Sequence, residues 1–104
     1  MKKLFWLLFV CISFPAWGGS DIPNSSVNFV YQLDTSETEF EFSATKQNGC
    51  GSKLYRVKSP NAAVANRKFS LVLTAFTTGS NLAFHDKEIC EGIRSIVSWV
   101  RLTK

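Results

Sequence analysis

Residues 59–84, SPNAAVANRKFSLVLTAFTTGSNLAF, constrain the fold of this chain more than any other stretch, because they read as its one helix, a glycine stop and a short strand. Ala65, Phe69, Val72, Leu73 and Phe76 fall at i, i+4, i+7, i+8 and i+11, an apolar stripe of helical period. Ser59 is placed to cap the start and Pro60 to occupy the first helical position, where a missing N–H costs nothing. Asn66 offers a second cap. Thr78-Gly79 supplies the stop, since glycine accepts the left-handed conformation that ends many helices. Phe69, Leu71, Leu73 and Ala75 also alternate as a strand would, but the length of the run and its bounding Ser-Pro and Gly favour helix. Leu82 and Phe84 then predict a short, edge-like strand.

The chain opens on Met1-Lys2-Lys3, followed by the apolar run LFWLLFVCISF and Pro15-Ala16-Trp17-Gly18. A basic start, a short apolar core and small residues at Ala16 and Gly18 form the pattern of a secretory signal peptide cut between Gly18 and Gly19. The run is shorter than the ~20 residues a membrane-spanning helix needs, so no span is expected once the signal is removed. Bulky Leu8-Phe9-Val10 before Cys11 argues against a lipoprotein signal. Removing residues 1–18 from the 104 leaves 86, enough for one small domain. Of the three cysteines, Cys50 and Cys90 remain, and in an oxidising compartment the simplest expectation is a disulfide between them. Losing Lys2 and Lys3 lowers Lys+Arg from 12 to 10 against 8 acids, a net charge of about +2. Nucleic-acid binders carry a stronger basic bias, so a nucleic-acid partner is not expected.

Residues 19–26 (GSDIPNSS) are polar and turn-rich, the composition of a flexible leader. Residues 27–33 (VNFVYQL) alternate as a first strand, with Val27, Phe29, Tyr31 and Leu33 on one face. Residues 37–44 (ETEFEFSA) predict a second strand, Phe40 and Phe42 inward, with Glu37, Glu39 and Glu41 on a solvated outer face. A glycine-rich connection carrying Cys50 leads to a third strand at residues 53–58. After the helix and the short fourth strand, residues 85–92 (HDKEICEG) read as a charged loop. Residues 93–102 (IRSIVSWVRL) form the last strand, with Val97, Trp99 and Arg101 on one face. Residues 27–104 are therefore expected to be a single, mainly β domain with one helix, in the order strand-strand-strand-helix-strand-strand.

A helix between the third and fourth of five strands is the arrangement of the OB-fold, a small five-stranded Greek-key barrel. The mature chain resembles small exported bacterial proteins of this type, in particular B subunits of A–B toxins of the subtilase-cytotoxin kind. The resemblance is carried by Leu71, Ala75 and Phe76 on the helix, then Thr78-Gly79, then the alternating Leu82 and Phe84, with flanking cysteines and a secretory leader. It implies a periplasmic or secreted protein that assembles as a homo-oligomer and binds glycans in shallow pockets. No glycan-contacting residue transfers by position.

Candidate chemistry is thin. His85 is the only histidine, near Asp86, Glu88 and Glu91, and a structural zinc site wants four patterned ligands, so no metal site is expected. The serines lack a G-x-S-x-G setting, and the glycines are too sparse for a phosphate-cradling loop, so neither catalytic residues nor a cofactor is expected. Among the aromatic residues, Tyr55 and Trp99 are the candidates for ligand contact. Trp99 shares a face with Arg101, and Tyr55 lies beside Lys53 and Val57. Arg56, Lys58, Arg67 and Lys68 form a modest basic group around the start of the helix. The pattern fits an exported, non-enzymatic module that binds a glycan or an envelope component. A protein-interaction or inhibitor module, docking an envelope protein through exposed strand edges, is the alternative.

Overall fold

The computed structural model describes residues 19–103, so the expected signal peptide and Gly18 of its expected cleavage site lie outside the described residues. Six strands and one helix follow in order: β1 (Ser20–Ser25), β2 (Val27–Gln32), β3 (Glu39–Ala44), β4 (Leu54–Lys58), α1 (Ala62–Thr78), β5 (Asn81–Glu91) and β6 (Arg94–Thr103). The strands form one mainly antiparallel sheet in the order β1-β5-β6-β4-β3-β2, with β4 and β6 its parallel neighbours. The sheet is not closed by hydrogen bonds between its end strands. Those two ends, β1 and β2, are nevertheless consecutive in the chain, separated by Ser26 alone.

The strand total differs from the five expected because the presumed flexible leader is β1. Ile22 is buried there opposite Phe84, and Asp21 pairs with His85. A second difference is β5. Leu82 and Phe84 belong to an eleven-residue strand inside the sheet, between β1 and β6, which absorbs most of the expected charged loop. Its register slips between Phe84 and Asp86 and again between Asp86 and Cys90. The second slip contains Glu88, whose φ is 59°, and the Asp86 carboxylate steadies it by accepting the Glu88 amide at 2.8 Å. Such bulges redirect a strand without ending it. The turn into β6 is the two-residue Gly92-Ile93, with Gly92 at φ 65°, the positive value that tight hairpins favour.

The helix begins two residues later than Ser59-Pro60 suggests. Asn61 is the N-cap, its side chain accepting the Val64 amide at 2.9 Å, while the Ser59 amide donates to Thr38 and closes the β3–β4 pair. Gly79 ends the helix at φ 74°, as its position predicts. Ala65, Val72 and Ala75 are buried and Phe69 packs against the core, whereas Leu73 and Phe76 stay exposed. The inward stripe is thus rotated away from the expected one.

Phe40 and Phe42 point inward as alternation requires. Phe42, Tyr55 and Phe84 make the aromatic centre of the core, with ring centroids 4.8–5.5 Å apart. Phe69 meets Phe40 edge-on at 5.3 Å and seats the helix on the sheet. Cys50 and Cys90 form a disulfide that ties the β3–β4 connection to the end of β5, Cα to Cα 5.7 Å. Buried Asn48 shapes that connection: its Oδ1 accepts the amides of Cys50 and Ser52, and its Nδ2 donates to the carbonyls of Leu54 and Ile93.

Candidate functional site

The two aromatic residues singled out in the sequence part company in the fold. Tyr55 has no exposed surface, and its hydroxyl donates to the Lys46 carbonyl at 2.7 Å. Burial, with the nearby charge of Asp86, pushes its pKa up to about 12. A side chain so enclosed cannot meet a ligand from solvent, which corrects the expectation placed on it. Alternation explains this: Tyr55 shares the inward face of β4 with Val57, and Arg56 between them points outward.

Trp99 is exposed, 37% of its surface reaching solvent, on β6. Two neighbours flank the indole, and a third residue is tied to one of them. The Arg101 guanidinium lies 5.7 Å from its ring centroid, within cation–π range. The His85 imidazole on β5 stacks nearly parallel to it, centroids 6.2 Å apart. His85 Nδ1 in turn hydrogen-bonds the Asp21 carboxylate on β1 at 2.6 Å. Three neighbouring strands therefore present one row, Asp21, His85 and Trp99, with Arg101 beside it. The sequence pointed to Trp99 and Arg101 through their shared face. It missed Asp21, which lies in the presumed leader 64 residues from its histidine partner.

Such a row has recognisable chemistry. An indole face offers a flat apolar surface with a negative quadrupole, suited to the C–H face of a sugar ring. A carboxylate and an imidazole alongside can accept and donate hydrogen bonds to hydroxyls, and a guanidinium adds directional donors. His85 and its acidic neighbours form no metal cluster: among the described residues no group of three or more His, Cys, Asp or Glu side chains is placed to hold a metal ion.

A second polar assembly occupies the outer face of β2, β3, β4 and β6, and nothing in the alternating acids announced it. Glu41, expected on a solvated face, has no exposed surface. Tyr31 donates its hydroxyl to Glu41, Arg56 binds it through Nη2 and through Nε at 2.7 Å, and Arg94 donates to it from Nε at 2.8 Å. Burial alone would raise the Glu41 pKa; the hydrogen bonds from Arg94, Tyr31 and Arg56 outweigh it together and lower it. Arg56 continues to Glu91 at 2.9 Å, and Lys58 pairs with the same carboxylate. Half of the basic group read from sequence is therefore neutralised within the sheet. The other half, Arg67 and Lys68, lies on the helix. Beside the network, Phe29 and Tyr31 stack with centroids 6.1 Å apart and remain exposed.

No family model, no curated protein and no solved structure matches this chain. Among the described residues, no helix is long and apolar enough to cross a membrane.

Proposed function

We propose that this chain is an exported, non-enzymatic binding module of OB type whose ligand-binding surface is the Trp99 row. The observation that carries the reading is the exposed indole flanked by Arg101 on one strand and by the His85–Asp21 pair on two others. An aromatic plane with hydroxyl-binding groups at its edge suits a saccharide. The strand order supports the OB part of the proposal. Counting β1 and β2 as one strand bent at Ser26 turns the order into a cycle of five, with the helix between the third and fourth members. The Cys50–Cys90 bond suits an oxidising compartment, which agrees with the signal-peptide pattern and with a periplasmic or secreted location.

Screening the purified protein on a glycan array, with light scattering for its oligomeric state, tests this reading. Binding to a defined saccharide that Trp99→Ala abolishes supports it, and a ring-sized oligomer extends the likeness to toxin B subunits. A monomer that binds no glycan removes both.

A second reading has one observation of its own. The stacked, exposed Phe29 and Tyr31 lie on β2, an end strand of the sheet, as an aromatic anchor for a protein partner would. If capture from envelope extracts returns one dominant protein, and Phe29→Ala releases it while Trp99→Ala does not, this reading replaces the first.

A further inference from the structure

Gly19 is pressed against β5 just ahead of the Ser20–Asp86 pair that opens the β1–β5 ladder. A β-carbon at position 19 would stand 1.9 Å from the Asp86 carbonyl oxygen and 2.7 Å from the Lys87 backbone, so no side chain fits there. Standard bond geometry then holds the Gly19 nitrogen within about 4.4 Å of that oxygen. On the other side of this contact β5 is distorted. Its second register slip contains Glu88, a non-glycine residue at φ 59°. Strain of this kind persists where the surrounding fold makes use of it. Here the bulge carries the Glu88 carboxylate back to β1, where Ser20 Oγ donates to it at 3.1 Å.

A serine hydroxyl is a neutral partner for a full negative charge, and a bond from a charged donor is the stronger one. The neighbouring carboxylates are already engaged: Asp86 accepts from Ser95 and from the Glu88 amide, and Asp21 binds His85. Lys87, beside Glu88 in the chain, is the opposing cation. Hydrolysis of the Gly18–Gly19 bond by a signal peptidase leaves a carboxylate on Gly18 and an amine on Gly19, protonated below its usual pKa of about 8. The resulting ammonium brings a positive charge and three donors to the place where the amide had one donor and no charge. We propose that the β5 bulge is the docking site of the mature N-terminus, the Gly19 ammonium pairing with the Glu88 carboxylate and donating to the Asp86 carbonyl. Removal of the signal then adds the contact that fastens β1 to the sheet. This docking rests on the export reading above, with the cut at Gly18–Gly19.

Mass spectrometry of the exported protein first locates the cut. A terminus other than Gly19 overturns the cleavage site and the docking together. With a Gly19 terminus, thermal unfolding near pH 6.5 is compared for four proteins: the parent with its free amine, the α-N-acetylated parent, Glu88→Gln, and acetylated Glu88→Gln. Glutamine keeps an acceptor for Ser20 and removes the charge. Acetylation of the parent is expected to lower the melting temperature by about 2–4 °C. In the Glu88→Gln background that loss should shrink by at least half, because the ion pair is already gone. Gly19→Ala should lower the melting temperature by at least about 3 °C, since its methyl group displaces the Asp86 carbonyl. An acetylation cost that is absent, or equal in both backgrounds, overturns the docking and leaves the cleavage site standing. So does a Gly19→Ala variant as stable as the parent, which would mean that the terminus is not held against β5.

Discussion

The carboxylate of Glu41 on β3, wholly enclosed, is gripped by the guanidinium of Arg56 directly opposite it on β4. Removing one partner of a buried pair is expensive because the other stays behind without compensation, about 3–5 kcal/mol in general. The two partners are not equivalent here. Arg56 and Arg94 keep 22% and 32% of their side chains in contact with solvent, so water can receive them if Glu41 is lost. Glu41 is fully buried and would be left with Arg94 and Tyr31 alone. We therefore predict that Arg56→Ala costs about 3 kcal/mol, and that Glu41→Ala costs less. Lys58→Ala, which removes a half-exposed contact to Glu91, should change stability by no more than about 0.5 kcal/mol. Urea unfolding of the three variants measures the order; a Lys58 effect as large as that of Arg56 would refute this account of the network.

The same carboxylate predicts an acid-sensitive fold. In the unfolded chain Glu41 takes its ordinary pKa, 4.5, and in the folded protein the value is lower. Between the two, the unfolded state binds more protons, so stability rises with pH. The contribution is fully present above the unfolded value and is lost as pH falls below it, through the folded value. Glu91, lowered chiefly by the hydrogen bond from Lys58, acts in the same direction from a more exposed position. Denaturant midpoints should therefore be level near neutrality and fall on acidification below about pH 4.5. In Glu41→Gln the fall should be shallower and the neutral-pH stability lower. An unchanged acid profile in that variant would remove Glu41 from the explanation.

Glu41 also marks the boundary of what the sequence could disclose. Alternation correctly set Phe40 and Phe42 inward and the glutamates outward, yet outward proved not to mean solvated. Arg56 and Arg94, 15 and 53 residues away, cover the carboxylate, and one strand's pattern carries no trace of partners so distant. β5 was half hidden for another reason: two register slips break its alternation after Phe84, so a continuous strand looks like a strand followed by a charged loop. β1 was invisible because SDIPNS contains a single large apolar residue, Ile22. What was legible rested on local chemistry: the glycine stop at Gly79, the cysteine pair, and the face shared by Trp99 and Arg101.

The helix start provides a direct contest between two residues. Ser59 has the cap's composition, but its Oγ is buried with no hydrogen-bond partner. Asn61 has the cap's geometry, accepting the Val64 amide. Asn61→Ala should cost about 1 kcal/mol. Ser59→Ala should be neutral or slightly stabilising, because it removes an unsatisfied hydroxyl. Thermal unfolding of both variants decides, and the reverse order would restore Ser59 as the cap.

The disulfide spans 40 residues of sequence. Loop-closure entropy assigns such a bond about 4 kcal/mol, a large share of the ~5–15 kcal/mol that holds a typical domain. Replacing both cysteines with serine should lower the urea midpoint sharply and leave the connection to its hydrogen bonds, those of Asn48, Ser52 and Tyr55. A double variant as stable as the parent would mean that those hydrogen bonds already fix that loop.

Tyr55 and Trp99 were equal candidates for ligand contact on sequence grounds, and substituting each separates binding from stability. Tyr55→Phe removes the hydrogen bond to the Lys46 carbonyl while keeping the ring between Phe42 and Phe84. It should cost about 1–2 kcal/mol of stability, since the carbonyl loses a buried donor, and leave the proposed saccharide binding unchanged. Trp99→Ala should do the opposite: a small loss of stability from a half-exposed position, and loss of binding. The ionisation of Tyr55 gives an independent reading on the parent protein. Its folded pKa is about 12 against 10 for an ordinary tyrosine, so the neutral phenol stabilises the fold fully below pH 10 and that contribution is lost as pH rises toward 12. Ultraviolet titration of the parent against Tyr55→Phe should place the missing phenolate step near 12. A step near 10 would mean that the ring reaches water, and would return Tyr55 to the list of ligand contacts.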